Sequence, residues 1–423
     1  MELKVQAASR MDGIVKAPPS KSYTHRGFIM AFLAEGTSKI NDPLYSDDTM
    51  ASLNSCKALG SKVEKHSSYC EITGINGKPS TPDNVLDLKN SGTTLRILTS
   101  IATLTDGYTV LTGDKSLRTR PMQDILSALK PLGVTAFSTK NNGKPPIIIK
   151  GGFKGGETSI NGNVSSQFIS SILMASPYAE TPVHLNVKDK FISRPYVEMT
   201  VELMEKFNVK VEYEREKKSF HIDPQIYRSN DYTVEGDYSS ASYLIAAAAS
   251  LNSEVTIQNL MKNSKQGDKL ILDIVKDMGS EVNVKNNEVK IYGQGRLNGV
   301  EVNLKNAPDL LPTVAALGAM AKGTTYITGV EHARFKETDR IHTCAIELAK
   351  LGVSVTEKDD GLIIRGGVHG GVVKSHMDHR LAMAFYIIGL KVGNVVIEDA
   401  SVYNVSFPDF PEIIEKLIAG TGK

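Results

Sequence analysis

One pattern recurs six times along this chain and constrains its fold more than any other feature: an amphipathic helical stretch, a glycine or asparagine stop, then a short alternating segment that reads as a strand. It occupies residues 47–64, 120–137, 194–212, 267–284 and 338–355, and a shortened copy, FPDFPEIIEKLIAG, starts at Phe407. The stops are Gly60, Gly133, Asn208, Gly279, Gly352 and Gly420, roughly 70 residues apart, and these residue types suit a left-handed helix C-terminus. Six α/β units follow from the repeat. Between the copies lies a second kind of helix, which opens on small polar residues and continues apolar: 90–104, 163–176, 236–251 and 308–321. These read as buried helices. Their small-polar starts act as caps, and if several such starts were gathered together their free N–H groups would favour an anion.

A chain of 423 residues, 41% hydrophobic and 23% charged, has enough apolar material for two domains. The net charge of only +2 gives no global reason to expect nucleic acid or an acidic membrane as partner. Cys56, Cys70 and Cys344 are far apart, with no CxxC or Cys/His ligand spacing, so neither a disulfide framework nor a metal centre is expected. The first residues show neither a signal-peptide core nor a transit segment, and no apolar run approaches the ~18 residues of a membrane span, so the expectation is a cytoplasmic protein.

Charged and hydroxyl side chains collect in short strings. PPSKSYTHR (18–26) places Lys21, Ser22 and Arg26 together after an extended proline lead-in; the plain alternative is a solvated helix face. NSGTTLR (90–96) puts Gly92 where a backbone or a ligand passes close, with Arg96 one turn later. SLRTRP (116–121) carries Arg118 and Arg120 just before a repeat helix, and SSQ (165–167) with SRPYVEMT (193–200) offers the hydroxyl and amide groups that would orient a polyol. RFKETDR (334–340) sets Lys336 beside Glu337 at the start of a repeat helix, a cation next to a carboxyl group fit for proton transfer. His379 and Arg380 stand at the mouth of an Ala-rich helix, where a histidine more commonly caps or packs than reacts.

Taken in order, PPSKSYTHR, NSGTTLR, RTRPM, VSSQF, ISRPY, EGDYSSASY, PDLLP, RFKETDR and DHRLAM resemble the motif series of the EPSP synthases (3-phosphoshikimate 1-carboxyvinyltransferases), across essentially the whole chain. The resemblance implies two inside-out α/β barrel domains of three repeats each: one formed by 1–19 plus 236–423, the other by 20–235, with crossovers near 18–20 and 234–236. It implies transfer of the enolpyruvyl group of phosphoenolpyruvate to the 5-hydroxyl of shikimate 3-phosphate, with no cofactor and no metal, and with closure of one domain on the other to exclude water. Carried over motif by motif, Lys21, Ser22, Arg26, Ser165, Ser166, Gln167, Ser193, Tyr196, Asp309 and Lys336 resemble the shikimate 3-phosphate site. Lys21, Asn90, Gly92, Arg120, Gln167, Arg340 and Arg380 resemble the phosphoenolpyruvate site, with Arg96 at its edge. By the same resemblance Glu337 is the acid that protonates C3 and later removes that proton, and Asp309 accepts from the 5-hydroxyl. Lys21 and Lys336 stabilise charge, and His379 orients Glu337 or the intermediate. A monomer inhibited by glyphosate is expected.

Two positions depart from the family pattern. Val405 stands where a lysine usually precedes the FPD string, and His332 where an asparagine usually lies four residues before the motif lysine. Two rival readings frame the assignment. A UDP-N-acetylglucosamine enolpyruvyl transferase would carry a cysteine in the loop that here reads TGDKSLRTRP. A phosphate- or RNA-binding protein of the same fold would gain nothing from carboxylates at 309 and 337.

Overall fold

The computed structural model describes residues 1–420, which separate into two compact units. One comprises Lys21–Val234; the other joins Met1–Ser20 to the chain from Glu235 onward. Twelve α-helices run through the described residues: α1 Lys21–Leu33, α2 Asp47–Ala58, α3 Gly92–Ile101, α4 Gln123–Leu129, α5 Ser166–Ala175 and α6 Arg194–Lys206, then α7 Tyr238–Ser250, α8 Ile271–Asp277, α9 Leu311–Met320, α10 Arg340–Lys350, α11 His379–Val392 and α12 Phe410–Ile418. None is long and apolar enough to cross a membrane.

The sequence repeat is a structural repeat. Each unit holds three sheets, mixed in direction. In the unit beginning at Lys21, strand 183–188 runs parallel to 156–161 and antiparallel to 219–222, and 212–214 completes the sheet. The same order is built around strand 108–112 and around strand 37–41, the latter taking as its parallel neighbour 231–233 from the far end of the unit. That long-range pairing closes the unit. The second unit closes with its N-terminal segment, as 10–16 pairs in parallel with 252–258 and 3–5 pairs antiparallel with 395–398.

All six expected stops adopt positive φ: Gly60 106°, Gly133 83°, Asn208 64°, Gly279 109°, Gly352 80° and Gly420 68°. A side chain with a branched Cβ would be strained there, whereas glycine and asparagine tolerate this region. The amphipathic helices α2, α4, α6, α8, α10 and α12 end at these stops; α2, α4, α8, α10 and α12 pack on the sheets, and α6 packs on α5 and α1. The odd-numbered helices are the interior of their units. Every residue of α7 is buried, as are nearly all of α1, α3, α5, α9 and α11, and α7, α9 and α11 pack against one another. Ala, Ser, Thr and Gly on these helices let the backbones approach, while Leu and Ile fill the gaps at about 1.5–3 kcal/mol per buried side chain. Helices inside and sheets outside make each unit an inside-out α/β barrel. The solvated-face alternative for Ser22–Arg26 fails, since Tyr23 to Leu33 are all buried.

Candidate active site

Four of the buried helices and the amphipathic α10 start on a side-chain cap, whereas α9 follows Leu310 without one, against the expectation for 308–321. Ser91 accepts from the backbone N–H of Thr94, Ser165 from Gln167, Asp237 from Ser239, Asp339 from His342 and Asp378 from Arg380. The caps divide by charge. Neutral serines begin α3 and α5, so those positive helix ends keep their attraction for an anion; aspartates begin α7, α10 and α11 and neutralise theirs.

In the Lys21–Val234 unit, Lys21 Nζ lies 2.9 Å from Asp48 on α2, with both side chains largely buried. Asn90 bridges two loops, donating to Asp114 at 2.7 Å and accepting from Arg120 at 2.7 Å. The buried Arg120 guanidinium lies across Gly92: a Cβ on Gly92 would meet its Nη1 at 2.2 Å, so this position admits glycine because an arginine occupies the space. Gln167 ties α5 to α3, donating to Thr93 at 2.8 Å and accepting from Arg96 at 2.7 Å, while the Arg96 guanidinium also lies over Phe168. Ser165 and Ser166 stand at the same helix start, and Ser193 precedes α6 in a left-handed conformation with φ 51°. Arg26 sits deeper. Its guanidinium is buried and donates to Thr200 at 2.7 Å, to the Ser22 carbonyl at 2.9 Å and to the Tyr196 carbonyl at 3.1 Å, and burial lowers its pKa to about 10. In this arrangement Arg26 fixes the Ser22 and Tyr196 backbones.

The second unit concentrates charge. Asp309 lies in the short 3₁₀ turn Pro308–Leu310 ahead of α9, and its carboxylate accepts from Arg340 at 2.7 Å and Arg380 at 3.0 Å, with Lys336 Nζ at 3.4 Å. Arg340 also holds Glu337 at 2.5 Å, and turns its Nε to Asp378 at 2.7 Å. Arg380 donates to Ser239 of α7 at 2.5 Å. Burial pushes the Asp309 carboxyl up, but Arg380, Lys336 and Arg340 outweigh it and hold the group well below the ordinary carboxylate range. The Arg340 guanidinium, buried among three carboxylates, is held above its usual pKa. His379 is buried in the first turn of α11, and His332 is buried with its pKa lowered to about 3 by burial and then by Lys336. Val405 is half-buried at the end of the turn Ala400–Val405.

Within this unit the residues singled out at 309, 336, 337, 340 and 380 therefore form one connected cluster. Within the other, Asn90, Gly92 and Arg120 meet, Gln167 joins Arg96, and Lys21 has its own carboxylate. A family model for EPSP synthase (3-phosphoshikimate 1-carboxyvinyltransferase) matches residues 5–414. The chain belongs to the EPSP synthase family. A 3-phosphoshikimate 1-carboxyvinyltransferase of Methanothermobacter thermautotrophicus is 59% identical over 412 residues, covering 97% of each chain, and one of Methanosphaera stadtmanae is 54% identical over 423 residues, covering 99% of each. The solved EPSP synthase of Acinetobacter baumannii superposes with a TM-score of 0.83 at 27% identity, covering 98% of each chain.

Three carboxylates beside these residues escaped the sequence reading. Asp378, fully buried, orients Arg340; Asp48 partners Lys21; Asp114 holds Asn90. Asp378 did carry a signal, since an aspartate directly before a helix start is a cap in waiting. Asp48 and Asp114 carried none, because their partners lie 27 and 24 residues away in sequence.

Proposed function

We propose that this EPSP synthase family member moves the enolpyruvyl group of phosphoenolpyruvate onto the 5-hydroxyl of shikimate 3-phosphate. C3 of the donor takes a proton, the hydroxyl oxygen bonds to C2, and the tetrahedral adduct then loses phosphate from C2 and the proton from C3. The observation that carries the reading is the cluster of Asp309 and Glu337 with Lys336, Arg340 and Arg380, two carboxylates and three cations bonded to one another. Arg340 and Arg380 suit the carboxylate and phosphate of phosphoenolpyruvate. Each currently spends a donor on Asp309, so an arriving anion competes for both guanidinium groups. Losing those partners, and gaining a negative neighbour, raises the proton affinity of Asp309 and Glu337. Substrate arrival thus turns two ion-paired carboxylates into groups able to exchange protons: Glu337 as acid to C3 and then base, and Asp309 as acceptor from the 5-hydroxyl. Lys336 and Lys21 stabilise charge on the reacting and leaving groups, and His379 orients Glu337 or the intermediate.

The other unit is suited to anion and polyol recognition. Ser165, Ser166 and Gln167 at the neutral-capped start of α5, with Ser193 and Tyr196 at the start of α6, bind the 3-phosphate and the ring hydroxyls. Lys21, Ser22 and the buried Arg26 fix the carboxylate side, while Asn90, Gly92 and Arg120 hold phosphoenolpyruvate oxygens. Glyphosate, an anion with phosphonate and carboxylate ends, would compete for the phosphoenolpyruvate groups, and the protein acts as a cytoplasmic monomer. Glu337→Gln tests the acid assignment: turnover falls by about 10²–10⁴ while shikimate 3-phosphate still binds. Wild-type turnover in this variant would remove Glu337 from the chemistry.

A further inference from the structure

Outside the cluster, one fully buried carboxylate accepts four hydrogen bonds from three donors. Glu347 on α10 shows no exposed side-chain surface. Its oxygens accept from Lys350 Nζ at 2.7 and 2.8 Å, from His376 Nε2 at 2.6 Å and from the backbone N–H of Lys374 at 3.0 Å. Burial raises its pKa, but Lys350 and His376 outweigh that and leave the carboxylate below its ordinary value. A buried charge is expensive, and one reaching back to hold a loop calls for a reason beyond packing.

The loop it holds leads into the site. His376 and Met377 are consecutive non-glycine residues with φ 52° and 59°, a conformation costing about 1–3 kcal/mol each. Met377 is two-thirds exposed, so its own packing does not impose this shape. The chain must make this left-handed double turn between strand 371–374 and α11, whose cap is Asp378 and whose first turn carries His379 and Arg380. Glu347 lies seven residues, two helical turns, after Arg340, hence on the same face of α10. That face grips the loop at two points: Glu347 takes Lys374 and His376, and Arg340 takes Asp378 at 2.7 Å. The loop between them has no freedom to slide along α10. Ser375 adds a local tie, its hydroxyl accepting from the Met377 N–H at 3.2 Å.

We infer that Glu347, through His376 and the Lys374 amide, is a positioning residue: it locks the 374–378 turn in its left-handed form and so sets where Asp378 directs Arg340 and where α11 presents Arg380. The inference rests on the transferase reading for its kinetic consequence, but not for its structural one. A shift of the α11 start by about 1 Å would misplace two guanidinium groups, an error of the kind that costs about 100-fold in rate.

The test compares Glu347→Gln, His376→Ala and His376→Gln with wild type, each kinetic value scaled to folded enzyme. Glu347→Gln and His376→Ala should lower kcat by about ten- to a hundredfold and raise KM for phosphoenolpyruvate, whereas Kd for shikimate 3-phosphate moves by less than about threefold. His376→Gln, which restores an N–H donor at the same reach, should recover most of the loss. Hydrogen exchange at residues 374–380 should quicken at least about tenfold in the first two variants and stay near wild type in the third. Unchanged kcat and KM in Glu347→Gln and His376→Ala, or equal impairment by His376→Ala and His376→Gln, would overturn the inference. Should wild type itself show no turnover, the transferase reading falls; unaltered exchange at 374–380 then overturns the clamp by itself.

Discussion

Gly92→Ala separates binding from folding in a single substitution. Gly92 opens α3 with an ordinary helical backbone, so alanine is acceptable there and favours the helix by up to about 1 kcal/mol. The new methyl, however, would sit 2.2 Å from Arg120 Nη1, and ordinary contact begins near 3.4 Å, so the guanidinium must retreat by about 1.2 Å. Arg120 is buried and reaches Asn90 at 2.7 Å, a bond such a retreat breaks or badly bends. A hydrogen bond to a charged group is worth about 1.5–3 kcal/mol. If the displaced guanidinium makes an equivalent bond to phosphoenolpyruvate, its loss raises KM for that substrate by about 10- to 150-fold. Steady-state kinetics in phosphoenolpyruvate, shikimate 3-phosphate binding by calorimetry and thermal melting together give the readout. The expected pattern is a raised KM with intact shikimate 3-phosphate binding and a modestly lowered melting temperature, because the helix gain of up to about 1 kcal/mol offsets only part of the lost Arg120–Asn90 bond. An unchanged KM would refute the contact between Arg120 and the donor, and a large fall in melting temperature would refute the claim that alanine suits the backbone.

Removing the partner of Lys21 by Asp48→Asn should weaken shikimate 3-phosphate binding through a mispositioned ammonium and, because the pair is largely buried, cost stability by up to about 3–5 kcal/mol; calorimetry showing unchanged affinity would contradict it. Acid should destabilise both units through their buried histidines. His25 and His332 have folded pKa values lowered to about 3, in each case chiefly by burial, against an ordinary value of 6.5. The neutral ring is the folded form, so the stabilisation is fully present above pH 6.5 and is lost as pH falls from there toward 3, by up to about 1.4 kcal/mol per pH unit per histidine. Urea unfolding at pH 7, 6 and 5 should show the decline, and His25→Gln should flatten part of it; stability constant across that range would contradict the burial argument.

The architecture was legible because its signals are local. A positive-φ stop, a neutral or acidic cap and a 3.6-residue apolar period are each fixed by a few neighbouring residues, and all six stops and the buried helix class followed from them. Motif residues 309, 336, 337, 340 and 380 also meet as a cluster, although they come from three separate strings. Hidden from the sequence were the pairings that give those residues their settings. Arg340 with Asp378 and Glu347 with His376 join residues 38 and 29 positions apart, and only the packing of α10 beside the 374–378 turn brings them together. The burial of Arg26 was hidden for a similar reason, as nothing in PPSKSYTHR reveals that Thr200, Ser170 and the Tyr196 carbonyl close over its guanidinium.

The most direct measurement is phosphate release from phosphoenolpyruvate by the purified protein, with shikimate 3-phosphate, with UDP-N-acetylglucosamine, and with neither. Release that requires shikimate 3-phosphate, accompanied by formation of the 5-enolpyruvyl ether, is the predicted result; release only with the nucleotide sugar, or none with either acceptor, would contradict the account.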